Sequence, residues 1–541
     1  MLNSLDRRTL LRVAGASAGT AVLASATVAG ASPAQAASGA FRHGVASGDP
    51  LPDGILLWTR LTPTEQAQPG SGLGPEAQVS WQVSANPDFT ALMAQGTILT
   101  GPVRDHTVRV EVTGLEPATT YWYRFGYEGG WSTTGRTMTA PDVDAEIDRL
   151  RMGVVSCSNW EGGYFSAYRY LAERGDLNLV VHLGDYLYEY GTGELGTGGK
   201  VIRPVSPPHE TLTLTDYRIR HATYKTDPDL QALHAALPWA ITWDDHEVAN
   251  NQWSGGAENH TPGSEGDFAA RLAAARQAYL EWMPVRAGVD GAIYRRLRFG
   301  RLADLSMLDL RTYRSKQNWG DVDEPDRTIT GDDQMTWLKS GLAASAARWK
   351  LVGSSVMISR LDVGTLPAWL LGPLAKLLGI PQNGIVINTD QWDGYNADRN
   401  ELVDHLRATD TRDVVFLTGD IHTSWANELT TKATGPWSPA AAEFVVPSVT
   451  TDNVDDFLRL SPDNVVSKLG ATLIRATNPH VRWTELDGHG YGVLEVTPAS
   501  CRMDWYHLAD RTKPTTSSEW VASWSVSAGS AKLREENSPL S

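Results

Sequence analysis

Cysteine is almost absent from the chain: Cys157 and Cys501 are the only two in 541 residues. At most one disulfide can form, which excludes a disulfide-stapled scaffold. Basic residues are also in short supply, 47 Lys and Arg against 63 Asp and Glu, a formal charge of −16. Binding a phosphate backbone needs a basic face, so a nucleic-acid partner is excluded. No apolar run is long enough to span a bilayer, so the mature chain is expected to have no transmembrane anchor.

The N-terminus needs a different explanation. Asp6-Arg-Arg-Thr-Leu-Leu-Arg12 precedes an Ala/Gly-rich run from Val13 to Gly30, and Ala34-Gln-Ala36 supplies an A-x-A cleavage site. Paired arginines before such a run resemble a twin-arginine (Tat) export signal. Residues 1–36 are therefore set apart as a signal peptide, and the mature protein is expected outside the cell or in its envelope. A short membrane anchor is the alternative, disfavoured by the small residues and the cleavage site.

What remains is long enough for two or three domains with sizeable cores. Residues 37–140 read as all β: Gly44 to Ser47, Ile55 to Arg60, Val79 to Ser84, Thr107 to Val112 and Tyr121 to Tyr127 are short β-rich runs punctuated by Gly and Pro. Leu115-Glu-Pro-Ala-Thr-Thr-Tyr121 resembles the end of a fibronectin type III domain, with Tyr121 placed for a tyrosine-corner bond. A β-sandwich is expected, more as a structural cap than as a binding module.

Residues 141–510 alternate strands and helices, the pattern of an α/β domain with two layered sheets. Polar clusters recur where apolar strands stop: Ser156-Cys157 after Leu150 to Val155, Gly184-Asp185 after Leu177 to Leu183, Asp244-Asp-His-Glu247 after Ala235 to Trp243, Asp309-Leu-Arg311 after Leu302 to Leu308, and Gly419-Asp-Ile-His422 after Val414 to Thr418. Phe268 to Trp282, Gln334 to Trp349 and Asn396 to Ala408 read as helices. Gly191 to Leu214 reads as a long loop, and Leu361 to Ile380 as an apolar insertion that packs on the core or lines a lipid-binding lip. Residues 511–541 are expected to be a C-terminal surface tail.

Ligands collect outside the carboxyl ends of strands in an open α/β sheet, which points to Asp185 and Tyr188. A phenolate ligand would need a strongly charged cation such as ferric iron, since its ordinary pKa is about 10. Asp420 and His422 alternate along an extended segment and can share one ion or a pair. Taken singly, an Asp after Gly or a charged Asp-His-Glu turn is commonplace. Their order along the chain is the specific signal.

That order resembles the calcineurin-like and purple-acid-phosphatase metallophosphoesterases. Longer strings narrow it: His43-Gly-Val-Ala-Ser-Gly-Asp-Pro50, Ile55-Leu-Leu-Trp-Thr-Arg60, His182-Leu-Gly-Asp-Tyr-Leu-Tyr-Glu189, Trp243-Asp-Asp-His-Glu-Val-Ala-Asn-Asn251 and Gly419-Asp-Ile-His-Thr-Ser-Trp425 are similar to the PhoD family of secreted alkaline phosphatases and phosphodiesterases. The resemblance implies a β-sandwich followed by a four-layer αββα catalytic domain. It implies Fe3+ held by Cys157, Asp185, Tyr188 and His422, with Asp185 bridging to one or two Ca2+ completed by Asp245 and Asp420. A carboxylate-rich second site suits Ca2+ or Mg2+ better than zinc. Asn250 and Asn251 are candidates for a third ion.

The implied chemistry is hydrolysis of phosphate mono- or diesters by a metal-activated hydroxide, in the service of phosphate scavenging. His246 would contact the phosphate or protonate the leaving group, and Arg311 is the candidate phosphate-binding fork. An ordinary ion pair is the competing reading of Arg311. With Cys157 at a strand end among ligands, a free thiolate is favoured over a disulfide with Cys501. A phospholipase D acting on phospholipids is the alternative activity, and a non-catalytic surface protein binding a wall polymer is the alternative of another class.

Overall fold

The computed structural model describes residues 39–195, 200–288, 290–318, 322–361, 388–431 and 438–541. Residues 1–36, read above as a signal peptide, and almost all of the apolar insertion fall outside them. A ten-stranded and a seven-stranded mixed sheet form the centre of the molecule. In the first, Leu150–Val155, Leu179–His182, Pro238–Ile241 and Val45–Leu51 run parallel. In the second, Ala303–Met307, Trp349–Ser354, Val414–Thr418 and Ala441–Val445 do the same.

The apolar runs carry no polar face because both faces are covered. Successive side chains on a strand point to opposite sides. Leu179 and Val181 meet Leu305, Leu351 and Leu417 between the sheets. Val180 turns the other way, to Tyr168 and Leu171 of helix Ser166–Glu173 and Leu230 and Leu233 of helix Pro228–Ala236. Val414 and Phe416 likewise pack on Met335 and Leu338 of helix Asp332–Ala344 and Leu402 and Leu406 of helix Asn396–Ala408. Each buried side chain of this size contributes about 1.5–3 kcal/mol.

The N-terminal unit is less separate than its composition suggests. Val45–Leu51, Gly54–Arg60 and Thr107–Thr113 belong to the ten-stranded sheet, Ser47 and Gly48 pairing with Pro238 and Trp239. Only the five-stranded sheet facing them, which includes Ala77–Ser84 and Thr120–Tyr127, is its own. A Cβ on Gly48 would stand 2.1 Å from the Pro284 carbonyl, so this junction needs glycine. The Tyr121 hydroxyl accepts from the Glu116 amide at 2.9 Å, the corner bond anticipated from the sequence.

Two expectations are corrected. The serine-rich C-terminus is not a tail: Ser518–Ser527 and Leu533–Glu536 are strands of the ten-stranded sheet, with Ala522, Trp524 and Val526 in the core between the sheets. Apolar residues alternate with serines from Ala522 to Ser527, the period-two pattern of a strand. The helix expected from Gln334 to Trp349 ends at Ala344, and Trp349 opens the next strand.

Candidate metal centre

Three neighbouring parallel strands of one sheet and one strand of the other end at the same place. Leu150–Val155 delivers Cys157, Leu179–His182 delivers Asp185 and Tyr188, Pro238–Ile241 delivers Asp244 and Asp245, and Val414–Thr418 delivers Asp420 and His422. Glycines permit the convergence. A Cβ on Gly184 would fall 2.5 Å from Asp244 Cβ, and one on Gly419 would fall 2.6 Å from Ser156 Cβ. Cys157, Asp185, Asp420 and His422 all have left-handed backbone, with φ of 59°, 54°, 64° and 61°. Such conformations cost roughly 1–3 kcal/mol each and persist where the surroundings impose them.

Donor atoms of Cys157, Asp185 and His422 lie within 4.8 Å of one another, as do those of Asp185, Asp244, Asp245 and Asp420. Asp185 is common to both groups. Tyr188 joins the first: its hydroxyl bonds Asp185 Oδ2 at 3.1 Å and accepts from Thr451 at 2.7 Å. Cys157 and Cys501 are both free and buried, so no disulfide competes for the thiol. His422 Nδ1 bonds the Asp452 carbonyl at 2.7 Å, which leaves Nε2 for the site. Burial brings the His422 pKa down to about 4, so its imidazole is neutral, the form that ligates a metal.

The donor set fits cations. Burial pushes the Cys157 thiol and the Tyr188 phenol well above their usual ranges, and the Asp185 charge adds to both. Burial and neighbouring carboxylates do the same to Asp420. Asp185 Oδ1 and Asp245 Oδ1 are buried without a hydrogen-bond partner among the described residues. An orphaned buried carboxylate oxygen is costly unless something positive meets it.

The sequence profile of the PhoD-like phosphatases matches residues 152–505, and that of their N-terminal domain matches residues 25–141. The chain belongs to the PhoD-like phosphatase family. It is 35% identical over 556 residues to alkaline phosphatase D of Bacillus subtilis (strain 168), covering 99% of this chain and 90% of that protein. The solved structure of PhoD superposes with a TM-score of 0.82 at 34% identity, covering 92% of each chain. As a PhoD-like phosphatase the chain is a phosphoesterase whose donor clusters could hold metal ions.

Not every residue anticipated for this PhoD-like site stands where expected. Arg311 offers no free fork to a phosphate: it is fully buried, with Nε and NH2 on Asp244 at 2.6 and 2.7 Å and NH1 and NH2 on Asp390 at 2.9 Å each. The ion-pair reading prevails. Asn250 and Asn251 turn their side-chain amides to Glu258. His246 does face the site, its ring 4.2 Å from that of Tyr188, with donor atoms of Asp185 and Asp245 close by.

Several residues of the site escaped the sequence reading. Glu189, fully buried, accepts from His246 Nδ1 at 2.8 Å and from the Asn250 amide and Asn259 Nδ2, each at 2.7 Å. Burial works against a charged His246, but Asp245, Glu189 and Asp185 together hold its pKa well above the usual value. Glu247 accepts from the amides of Asp244, Asp185 and Tyr186 and ties two ligand loops together. The run Tyr188-Glu189 and the doublet Asp244-Asp245 were visible, but only the fold assigns them partners.

Proposed function

We propose that this chain is an exported, metal-dependent phosphoric-ester hydrolase acting on mono- and diesters, which leaves the cell by the Tat route and serves phosphate scavenging. On this reading its two parts are a fibronectin-III-like sandwich and a four-layer αββα metallophosphoesterase domain. The observation that carries it is the pair of donor clusters sharing Asp185, with orphaned carboxylate oxygens at its heart. Cys157, Asp185, Tyr188 and His422 would hold Fe3+, and Asp185, Asp245 and Asp420 one or two Ca2+. Thiolate, phenolate and imidazole suit a transition metal, and an all-oxygen set suits a hard dication.

When bound, the ions supply charge neutralisation for the phosphoryl group and an acidified water as nucleophile. The chain's own residues do the rest. Glu189 holds His246 Nδ1, which turns Nε2 toward the substrate, placed to bond the phosphate or protonate the leaving oxygen. The Asp452 carbonyl fixes the orientation of His422.

One purified sample should be assayed on p-nitrophenyl phosphate, bis-p-nitrophenyl phosphate and phosphatidylcholine, with its metal content measured. Hydrolysis of the first two is expected; turnover of phosphatidylcholine alone would replace this reading with a phospholipase. A phenolate on ferric iron should give a visible charge-transfer band that Tyr188→Phe abolishes. A colourless, iron-free, fully active enzyme would overturn the iron assignment.

A further inference from the structure

Four carboxylates, Asp185, Asp244, Asp245 and Asp420, crowd one half of the centre, and the guanidinium of Arg311 is built into the same cluster. Its position is asymmetric. NH2 bonds Asp244 at 2.7 Å and Asp390 at 2.9 Å, but it stands 3.6 Å from Asp245 Oδ1 and 3.7 Å from Asp420 Oδ1. The last two separations exceed hydrogen-bond length by less than an ångström. A small swing would bring the cation onto the very oxygens read above as ligands.

Asp390 opposes that swing, and it is itself anchored. Arg314 NH2 bonds Asp390 Oδ1 at 2.8 Å while its Nε bonds the Tyr395 hydroxyl at 2.9 Å, and Asn388 Oδ1 takes the Asp390 amide at 2.9 Å. Both arginines are fully buried, so solvent does not screen them.

Resting on the metal reading above, we infer that Arg311 is a tethered counter-charge: Asp390 holds it on Asp244 and off Asp245 and Asp420, and this tether sets how strongly the acidic half takes up a divalent cation. Arg311 and Asp390 are positioning residues. Asp244, although it lies among the donors, is committed to the arginine. Iron-side donors have no contact with Arg311 among the described bonds, so the effect is confined to one half.

The test is equilibrium dialysis of the full chain against Ca2+ after EGTA treatment, with iron content measured in parallel. Asp390→Asn removes the tether and lets two N–H groups compete for Asp245 and Asp420, so Ca2+ binding should weaken by about tenfold or more. Arg311→Met removes the counter-charge and frees Asp244, so Ca2+ should bind about tenfold more tightly or one further ion should be taken up. Iron content should stay at the wild-type value in both. General damage to the fold would weaken both variants, which is why the opposite signs matter. Shifts in the same direction, or none, overturn the inference. If Arg311→Met does not fold, unchanged or tighter binding by Asp390→Asn overturns it alone. A wild-type chain that binds no Ca2+ overturns the metal assignment itself and this inference with it.

Discussion

The molecule buries two polar clusters of opposite sign, joined by Tyr186. One is the acidic centre around Asp185. The other gathers Lys225 with His43, His182, His221 and His234 near the junction with the N-terminal strands, where Lys225 Nζ bonds the Tyr186 hydroxyl at 3.1 Å and sits 4.5 Å above the Trp58 ring. Orphaned atoms do not distinguish them, since among the described residues both ring nitrogens of His221 lack hydrogen-bond partners as surely as Asp185 Oδ1 does. Charge and backbone do. Burial lowers all four histidines, His182 to about 3, so at neutral pH they are uncharged rings packed on indoles: His182, His221 and His234 stack, His234 on Trp239 at 4.0 Å, and His43 meets Trp282 edge-on. Imidazole reaches its neutral form at pH 7 at almost no cost, whereas a carboxylate must be moved about three units, roughly 4 kcal/mol each. The basic cluster can shed its charge and become packing. The acidic one, held in left-handed backbone, needs a counter-ion.

The contrast breaks most visibly at Asp185, the residue common to both donor groups. Asp185→Asn should lose metal from both halves and reduce turnover by roughly 10⁴-fold or more, while His221→Asn should leave turnover within about threefold. Comparable losses in the two variants would erase the distinction. A smaller effect belongs to Glu189. Glu189→Gln keeps its size but not its charge, so kcat should fall about 10–100-fold with KM little changed and metal content intact. A drop confined to metal content would mean that Glu189 serves the ligands and not His246.

The smallest effect sharpens the basic side. Burial brings Lys225 down to about 7 in the folded protein, from 10.5 when exposed. Between those values the unfolded chain binds a proton that the native chain has released, so the lysine's contribution to stability rises with pH across that window. Below pH 7 its full penalty is present. Lys225→Met should therefore stabilise the protein by a few kcal/mol at pH 6, a gain that shrinks toward zero near pH 10.5, as urea unfolding at the two pH values can measure. A gain independent of pH would mean that the lysine stays charged throughout.

How much of this was legible follows from the range of the interactions. Cys157, Asp185, Tyr188, Asp245, Asp420 and His422 each sit within a few residues of an apolar strand end, and that local pattern is written in the chain. Residues whose role depends on distant partners were not legible. Arg311 is a residue after a strand end like the others; that it clamps Asp244 and Asp390, 67 and 79 positions away, is a fact of packing. Ala522, Trp524 and Val526 alternate with Ser523, Ser525 and Ser527, so that strand signal was written in the chain, whereas its place beside Ser500–Leu508 in the ten-stranded sheet is a fact of packing.

The sequence by itself determined the α/β alternation, the donor types and the glycines that let the loops approach, because strand periodicity, turn chemistry and ligand chemistry are properties of residues and their near neighbours. The tertiary structure alone decided that the N-terminal strands complete the catalytic sheet, that Glu189 belongs to His246, and that one aspartate of the doublet answers to an arginine. Those are choices among partners of similar chemistry. Only the closing of the two sheets, which brings some within 3 Å and leaves others out of reach, can make them.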